Sequence, residues 1–168
     1  MDKTLMKKKH LPRTIWTNPL HFIACGFGAG AIPFAPGTFG TLVAIPVYLL
    51  LRELPAPFYL LMCLIAFVIG IWLCHVTAKA FGVADHPAIV WDEIVGLWLT
   101  LWLAPTHLNW LWILIGFGLF RLFDIWKPWP IGWVDKHIHG GLGIMLDDLL
   151  AAIFAWLCLQ ALISFILM

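Results

Sequence analysis

Charge is what this chain lacks most. Only 11% of its 168 residues are Asp, Glu, Lys or Arg, against 62% hydrophobic residues. Soluble domains are about a quarter charged, so a chain this small cannot cover its own surface with polar groups. Mean hydropathy is +0.95, and apolar runs reach spanning length, which points to a membrane-embedded protein. A net charge of +1 leaves no basic face for a nucleic-acid partner. Cysteine is sparse and unpatterned: Cys25, Cys63, Cys74 and Cys158 form no CxxC pair. Cys63, Cys74 and Cys158 sit in apolar runs, where Cys behaves as a small hydrophobe. Neither a disulfide framework nor a zinc site is expected. A secretory signal is not expected either, because no short apolar run with a small-residue cleavage site follows the basic N-terminus.

The few charges are unevenly placed. Seven of the nine acids lie between Asp85 and Asp148, and the stretch from Arg121 to Asp148 also holds Lys127, Lys136, His137 and His139. Residues 1–19 read as a basic tail, with Lys3, Lys7, Lys8, Lys9 and Arg13 against Asp2 alone. By the positive-inside rule that end lies in the cytoplasm. Residues 20–168 read as one helical membrane domain. Its first part, 20–37, carries too much Gly and Pro for a spanning helix. It is expected to be re-entrant or interfacial, with its backbone satisfied by neighbouring helices. The run Gly26 to Gly30 resembles a dinucleotide loop only superficially, and close packing accounts for it better.

About five membrane helices follow from the apolar pattern: residues 38–51, 58–76, 88–104, 108–123 and 142–168. Thr38 is the expected N-cap of the first, after Pro36-Gly37 turn chemistry, and Pro46 should kink it. Threaded from a cytoplasmic N-terminus, the helices put Thr38, Asp92-Glu93, Arg121, Asp124 and Asp147-Asp148 at one depth. Only Arg52 and Glu53 fall at the other end. The expected fold class is therefore all-α: a compact multi-helix integral membrane bundle with a Gly/Pro-rich N-terminal segment.

Acids buried near a membrane cost several kcal/mol each unless paired or bound to a cation. The pairs Asp92-Glu93 and Asp147-Asp148, expected at helix starts, gain a little from the helix dipole. A divalent cation would help more, and carboxylates without thiols favour Mg²⁺ over Zn²⁺. Arg121 offers a planar fork for phosphate oxygens, and Lys127 sits in a stiff Trp-Lys-Pro-Trp-Pro loop. Each acid also has a plainer role, such as Asp124 pairing with Arg121 or Lys127 one turn away. Acids, bases and helix starts at a membrane surface together suggest phosphate chemistry on a lipid.

Four segments resemble the phosphatidylglycerophosphatase A family: PFAPGTFGTL (33–42), HPAIVWDEIVG (86–96), FRLFDIWKPWPI (120–131) and HGGLGIMLDDLLAA (139–152). The resemblance implies an Mg²⁺-dependent helical protein of the bacterial inner membrane, multi-pass, with its active site facing the cytoplasm. It implies hydrolysis of phosphatidylglycerophosphate to phosphatidylglycerol and inorganic phosphate, a step of glycerophospholipid synthesis. Family motifs place the functional positions at Thr38, Asp92, Glu93, Arg121, Asp124, Lys127, Asp147 and Asp148. Within that set, Asp92, Glu93, Asp124, Asp147 and Asp148 are the expected metal ligands. Thr38, Arg121 and Lys127 are the expected substrate contacts, and Asp92, Glu93, Asp124 and Asp148 the expected catalytic groups. His137 and His139 are candidates for proton transfer to the leaving oxygen, or simply interfacial histidines.

Two other classes compete. Another lipid-headgroup phosphotransfer enzyme is disfavoured because a DGxxAR pattern and an SGH segment are both missing. A divalent-cation transporter would place acids near the bilayer midplane rather than at helix ends.

Overall fold

The computed structural model describes residues 11–105 and 109–167. The lysines of the expected basic tail, the expected helix start at Leu108, and Met168 lie outside the described residues. Among those described there is no strand. Two short helices, α1 (Thr14–Thr17) and α2 (Pro19–Ala24), lead into a 3-10 segment (Gly26–Ala31). There follow α3 (Pro36–Leu51), α4 (Ala56–Phe81), α5 (Trp91–Thr100), α6 (Asn109–Trp126), α7 (Ile131–His137) and α8 (Gly140–Leu167).

Packing begins inside the stretch expected to be a tail. Ile15 is fully buried against Cys25 and Ala88. Asn18 caps α2, its side chain accepting from the Leu20 N–H at 2.9 Å. The glycine run then closes on the chain ahead of α5. A Cβ at Gly30 would stand 1.9 Å from the Ala88 carbonyl oxygen, and the Val90 N–H donates to the Ala24 carbonyl at 2.9 Å. Close packing, not ligand cradling, is the use of these glycines.

The start of α3 corrects an expectation. Thr38 is not its N-cap; the helix opens two residues earlier, at Pro36, behind Ala35 in the left-handed region (φ 45). Proline suits the first helical position because the N–H it lacks would go unpaired there. The helix runs on through Pro46. Two helices, Ala56–Phe81 and Gly140–Ile166, are long and apolar enough to cross a membrane. The first outruns its expected 58–76, from Pro55 at its cap to Gly82, whose left-handed φ of 71 ends it. By contrast α5 has only ten residues. At 1.5 Å per residue that is about 15 Å, half of a hydrocarbon core of about 30 Å. It fills the centre: Ile94, Val95, Gly96, Leu97 and Trp98 are all buried, around its full circumference. A helix apolar on every side belongs inside.

Around α5 pack α3, α4, α6 and α8, and α8 also touches α4, α6 and α7. Small residues set the spacing: the ring of Phe120 occupies the room a Cβ at Gly96 would need. Two buried side chains hydrogen-bond to backbone across helices. The Tyr59 hydroxyl donates to the Trp98 carbonyl at 2.6 Å, and the Trp98 indole donates to Ala44 at 2.9 Å. The outer faces stay apolar, as with Phe58, Val68 and Trp72 on α4 and Phe165 on α8. Patches of that extent mark a membrane or partner surface.

Candidate metal and phosphate site

The chain reverses direction between successive long helices, so alternate ends collect at one side. The N-terminus of α3, the 85–89 loop, the N-terminus of α5, the C-terminal turn of α6 and the early part of α8 surround one cavity of about 370 Å³. Asp92, Glu93, Asp124, Asp147, Asp148, Arg121 and Lys127 all line it. Arg52 and Glu53 pair with each other at the far end of α3.

Three carboxylates form the centre. One ligand oxygen each from Asp92, Glu93 and Asp148 lie within 4.8 Å of one another. Asp92 Oδ1, Glu93 Oε2 and Asp148 Oδ2 are buried with no hydrogen-bond partner. Asp92 and Glu93 occupy the first turn of α5, where the helix dipole favours negative charge by up to about 1 kcal/mol. Asp148 has no such help. It lies about two turns inside α8, which carries no acid in its first turn, so the dipole account expected for Asp147-Asp148 does not apply. At an effective dielectric near 20, two like charges 4.8 Å apart repel by roughly 3–4 kcal/mol. No lysine or arginine among the described residues forms an ion pair with Asp92 or Asp148. The donor set, hard oxygens with orphaned lone pairs, therefore fits a hard divalent cation.

The bases are held beside this trio by the other two acids. Asp124 hydrogen-bonds Arg121 Nη1 one turn away on α6, and Arg121 Nη1 stands 3.8 Å from Glu93 Oε1. Arg121 Nε is buried with no acceptor, a donor left over for a ligand oxygen. Lys127 ends α6 in the left-handed region (φ 45). Its Nζ reaches Asp135 at 2.7 Å and Asp147 at 2.6 Å. Burial disfavours its charged ammonium form, but the hydrogen bonds and charges of Asp135 and Asp147 outweigh this and hold the pKa above the ordinary lysine value.

Thr38 sits one residue past Gly37, outside the lining. His137 is tied to its own helix, its Nδ1 2.7 Å from the Trp133 carbonyl and its ring stacked on Trp133. His139 borders a side cavity of about 40 Å³ shared with Asp85, Asp135 and Asp147. Two contributors escaped sequence reasoning. Gly37 lines the cavity because a Cβ there would fall 2.2 Å from Glu93 Oε1 and 3.1 Å from both Arg121 Nη atoms. Nothing in the sequence marks that contact. Asp135 did carry a signal: an acid in a chain poor in acids, on α7 just after the loop that follows Lys127.

The chain matches the family described as phosphatidylglycerophosphatase A over residues 22–163. It is 50% identical over 139 residues to phosphatidylglycerophosphatase A of Escherichia coli (strain K12), covering 83% of this chain and 80% of that protein. It is 48% identical over 139 residues to phosphatidylglycerophosphatase A of Haemophilus influenzae, covering 82% and 85%. A Bacteroides thetaiotaomicron protein, named provisionally as a phosphatidylinositol-3-phosphatase, is 37% identical over 142 residues, covering 80% and 87%. No solved structure matches.

Proposed function

The chain belongs to the phosphatidylglycerophosphatase A family, a family of phosphoric monoester hydrolases, and on that premise we propose that it releases inorganic phosphate from phosphatidylglycerophosphate, leaving phosphatidylglycerol. The observation that carries this is the meeting of Asp92, Glu93 and Asp148 within 4.8 Å, in one cavity with an arginine donor that lacks an acceptor.

Asp92, Glu93 and Asp148 would hold Mg²⁺. Bound there, the ion would polarise the phosphoryl group and acidify a water beside it. Arg121 takes phosphate oxygens through its free Nε edge, while Asp124 fixes the guanidinium plane. Lys127 supplies a second positive charge as negative charge spreads over the equatorial oxygens. Asp124 and Asp147, expected as further metal ligands, serve here to aim the two bases. Hydrolysis breaks the bond between phosphorus and the headgroup glycerol oxygen and joins phosphorus to the oxygen of water, one proton of that water ending on the glycerol oxygen.

We place the site at the cytoplasmic face of the bacterial inner membrane, in a multi-pass bundle whose α5 fills the centre without crossing by itself. The charge asymmetry between the two ends of the bundle and the basic N-terminal sequence support this orientation. The test is phosphate release from the purified protein. Release that needs Mg²⁺ and stops with a chelator is the expected result; cation uptake into vesicles without phosphate release would favour transport instead. A parallel assay on phosphatidylinositol 3-phosphate sets the breadth of substrate, since the Bacteroides relative is named for that lipid.

A further inference from the structure

Between α3 and α4 runs an apolar cleft that the phosphate chemistry leaves unused. Both helices pack on α5 but barely on each other. Trp91 and Trp98 of α5 form the floor, Val47 and Leu51 line the α3 side, and α4 supplies the other wall from Met62 to Leu73. The cleft encloses about 390 Å³. Both indole N–H groups are already spent: Trp91 donates to the Ala66 carbonyl at 3.1 Å and Trp98 to Ala44 at 2.9 Å. The floor therefore offers no free donor. Leu20 and Ile23 of α2 also line it, and the buried Tyr48–Tyr59 pair, ring centroids 6.5 Å apart, joins α3 to α4.

Depth decides what fits. A Cβ at Gly70 of α4 would stand 2.7 Å from both Trp91 and Met145. Gly70 is thus level with Trp91, the residue before Asp92, and with Met145, one turn before Asp148, so the cleft runs past the depth at which the carboxylate trio is held. From Leu73 it follows α4 back to Met62, about 16 Å at the helical rise. One leaflet's share of the hydrocarbon core is about 15 Å. Trp91 lines the cleft while the next residue, Asp92, lines the phosphate cavity.

We propose that this cleft seats one acyl chain of the lipid whose phosphate is removed, an assignment that rests on the phosphatase reading above. A chain moving from bilayer to cleft gains little transfer free energy, because both surroundings are apolar. The seat instead fixes where the headgroup lies, so it acts on turnover rather than on membrane partition.

Val47→Trp and Ala66→Trp block the cleft from opposite walls and leave the phosphate cavity untouched. The full-length protein is assayed in vesicles with Mg²⁺, on phosphatidylglycerophosphate bearing full-length chains and on the same headgroup bearing short, water-soluble chains. In both variants kcat on the full-length lipid should fall on the order of tenfold while short-chain turnover holds. Unchanged full-length turnover in both variants overturns the proposal, as does an equal loss on both substrates. A change in oligomeric state accompanying the loss makes a second copy the occupant and overturns it too. If the wild-type protein releases phosphate from neither substrate, the phosphatase reading itself falls.

Discussion

A buried carboxylate oxygen with no donor near it is held at a cost, and this site holds three. Replacing Asp92 or Asp148 by Asn removes one of the three negative charges that a cation would neutralise. Each substitution should lower phosphate release at least about a hundredfold, the upper end of what losing a mere supporting group costs. The protein should remain folded, because relieving the repulsion offsets the lost contact; circular dichroism and gel filtration of the variants check this. Near-normal turnover in both would remove the trio from the chemistry. Lys127 gives a different kind of prediction. Its pKa is raised above the ordinary lysine value, so the stability from its pairing is fully present below about pH 10.4 and is lost only as pH climbs through the raised value. The kcat/KM profile should therefore show no Lys127 inflection up to about pH 9. Asp135→Asn removes one of its two carboxylate partners and should bring an alkaline fall to lower pH, read from the same profile.

At the scale of elements, glycines decide how closely the backbone can approach the site. Gly37 lets the first turn of α3 lie against Glu93 and Arg121, and Gly30 lets the 3-10 segment lie on the Ala88 carbonyl. Alanine at the two positions should fail in distinct ways. Gly30→Ala presses a methyl group on backbone that cannot yield, and should cost about 1–3 kcal/mol, read as a lower unfolding temperature in detergent. Gly37→Ala presses instead on two long side chains that can move. Stability should barely change, while phosphate release falls because Glu93 and Arg121 are displaced. The same logic explains α5. Ten residues are too few to cross the bilayer, and the helix is held because its neighbours bury Ile94 to Trp98, not because lipid does.

For the whole molecule, the decisive feature is that chemistry sits at one end of an apolar bundle. Glu53 is exposed at the opposite end, beyond α3, and Lys136 is exposed on α7 beside the site. With the site facing the cytoplasm, a membrane-impermeant thiol reagent applied to intact cells stripped of outer membrane should label Glu53→Cys. Lys136→Cys should be labelled only after permeabilisation. The reverse pattern would invert the orientation while leaving the phosphatase chemistry intact.

Hydropathy alone marked the long apolar helices, and the alternation of their directions already brought Asp92, Asp124 and Asp148 to one side. That much is legible because a bilayer makes both length and polarity one-dimensional quantities. The charges themselves were visible as exceptions in a chain nearly without them. Which acid does what was not legible. The sequence spacing of Arg121, Asp124 and Lys127 allows several pairings within a turn, and only the packed chain shows Asp124 on Arg121, and Asp135 with Asp147 on Lys127. Gly37, the half-length α5 and the cleft between α3 and α4 were invisible for a single reason: each is defined by what stands opposite it in space, and a sequence records neighbours along the chain only.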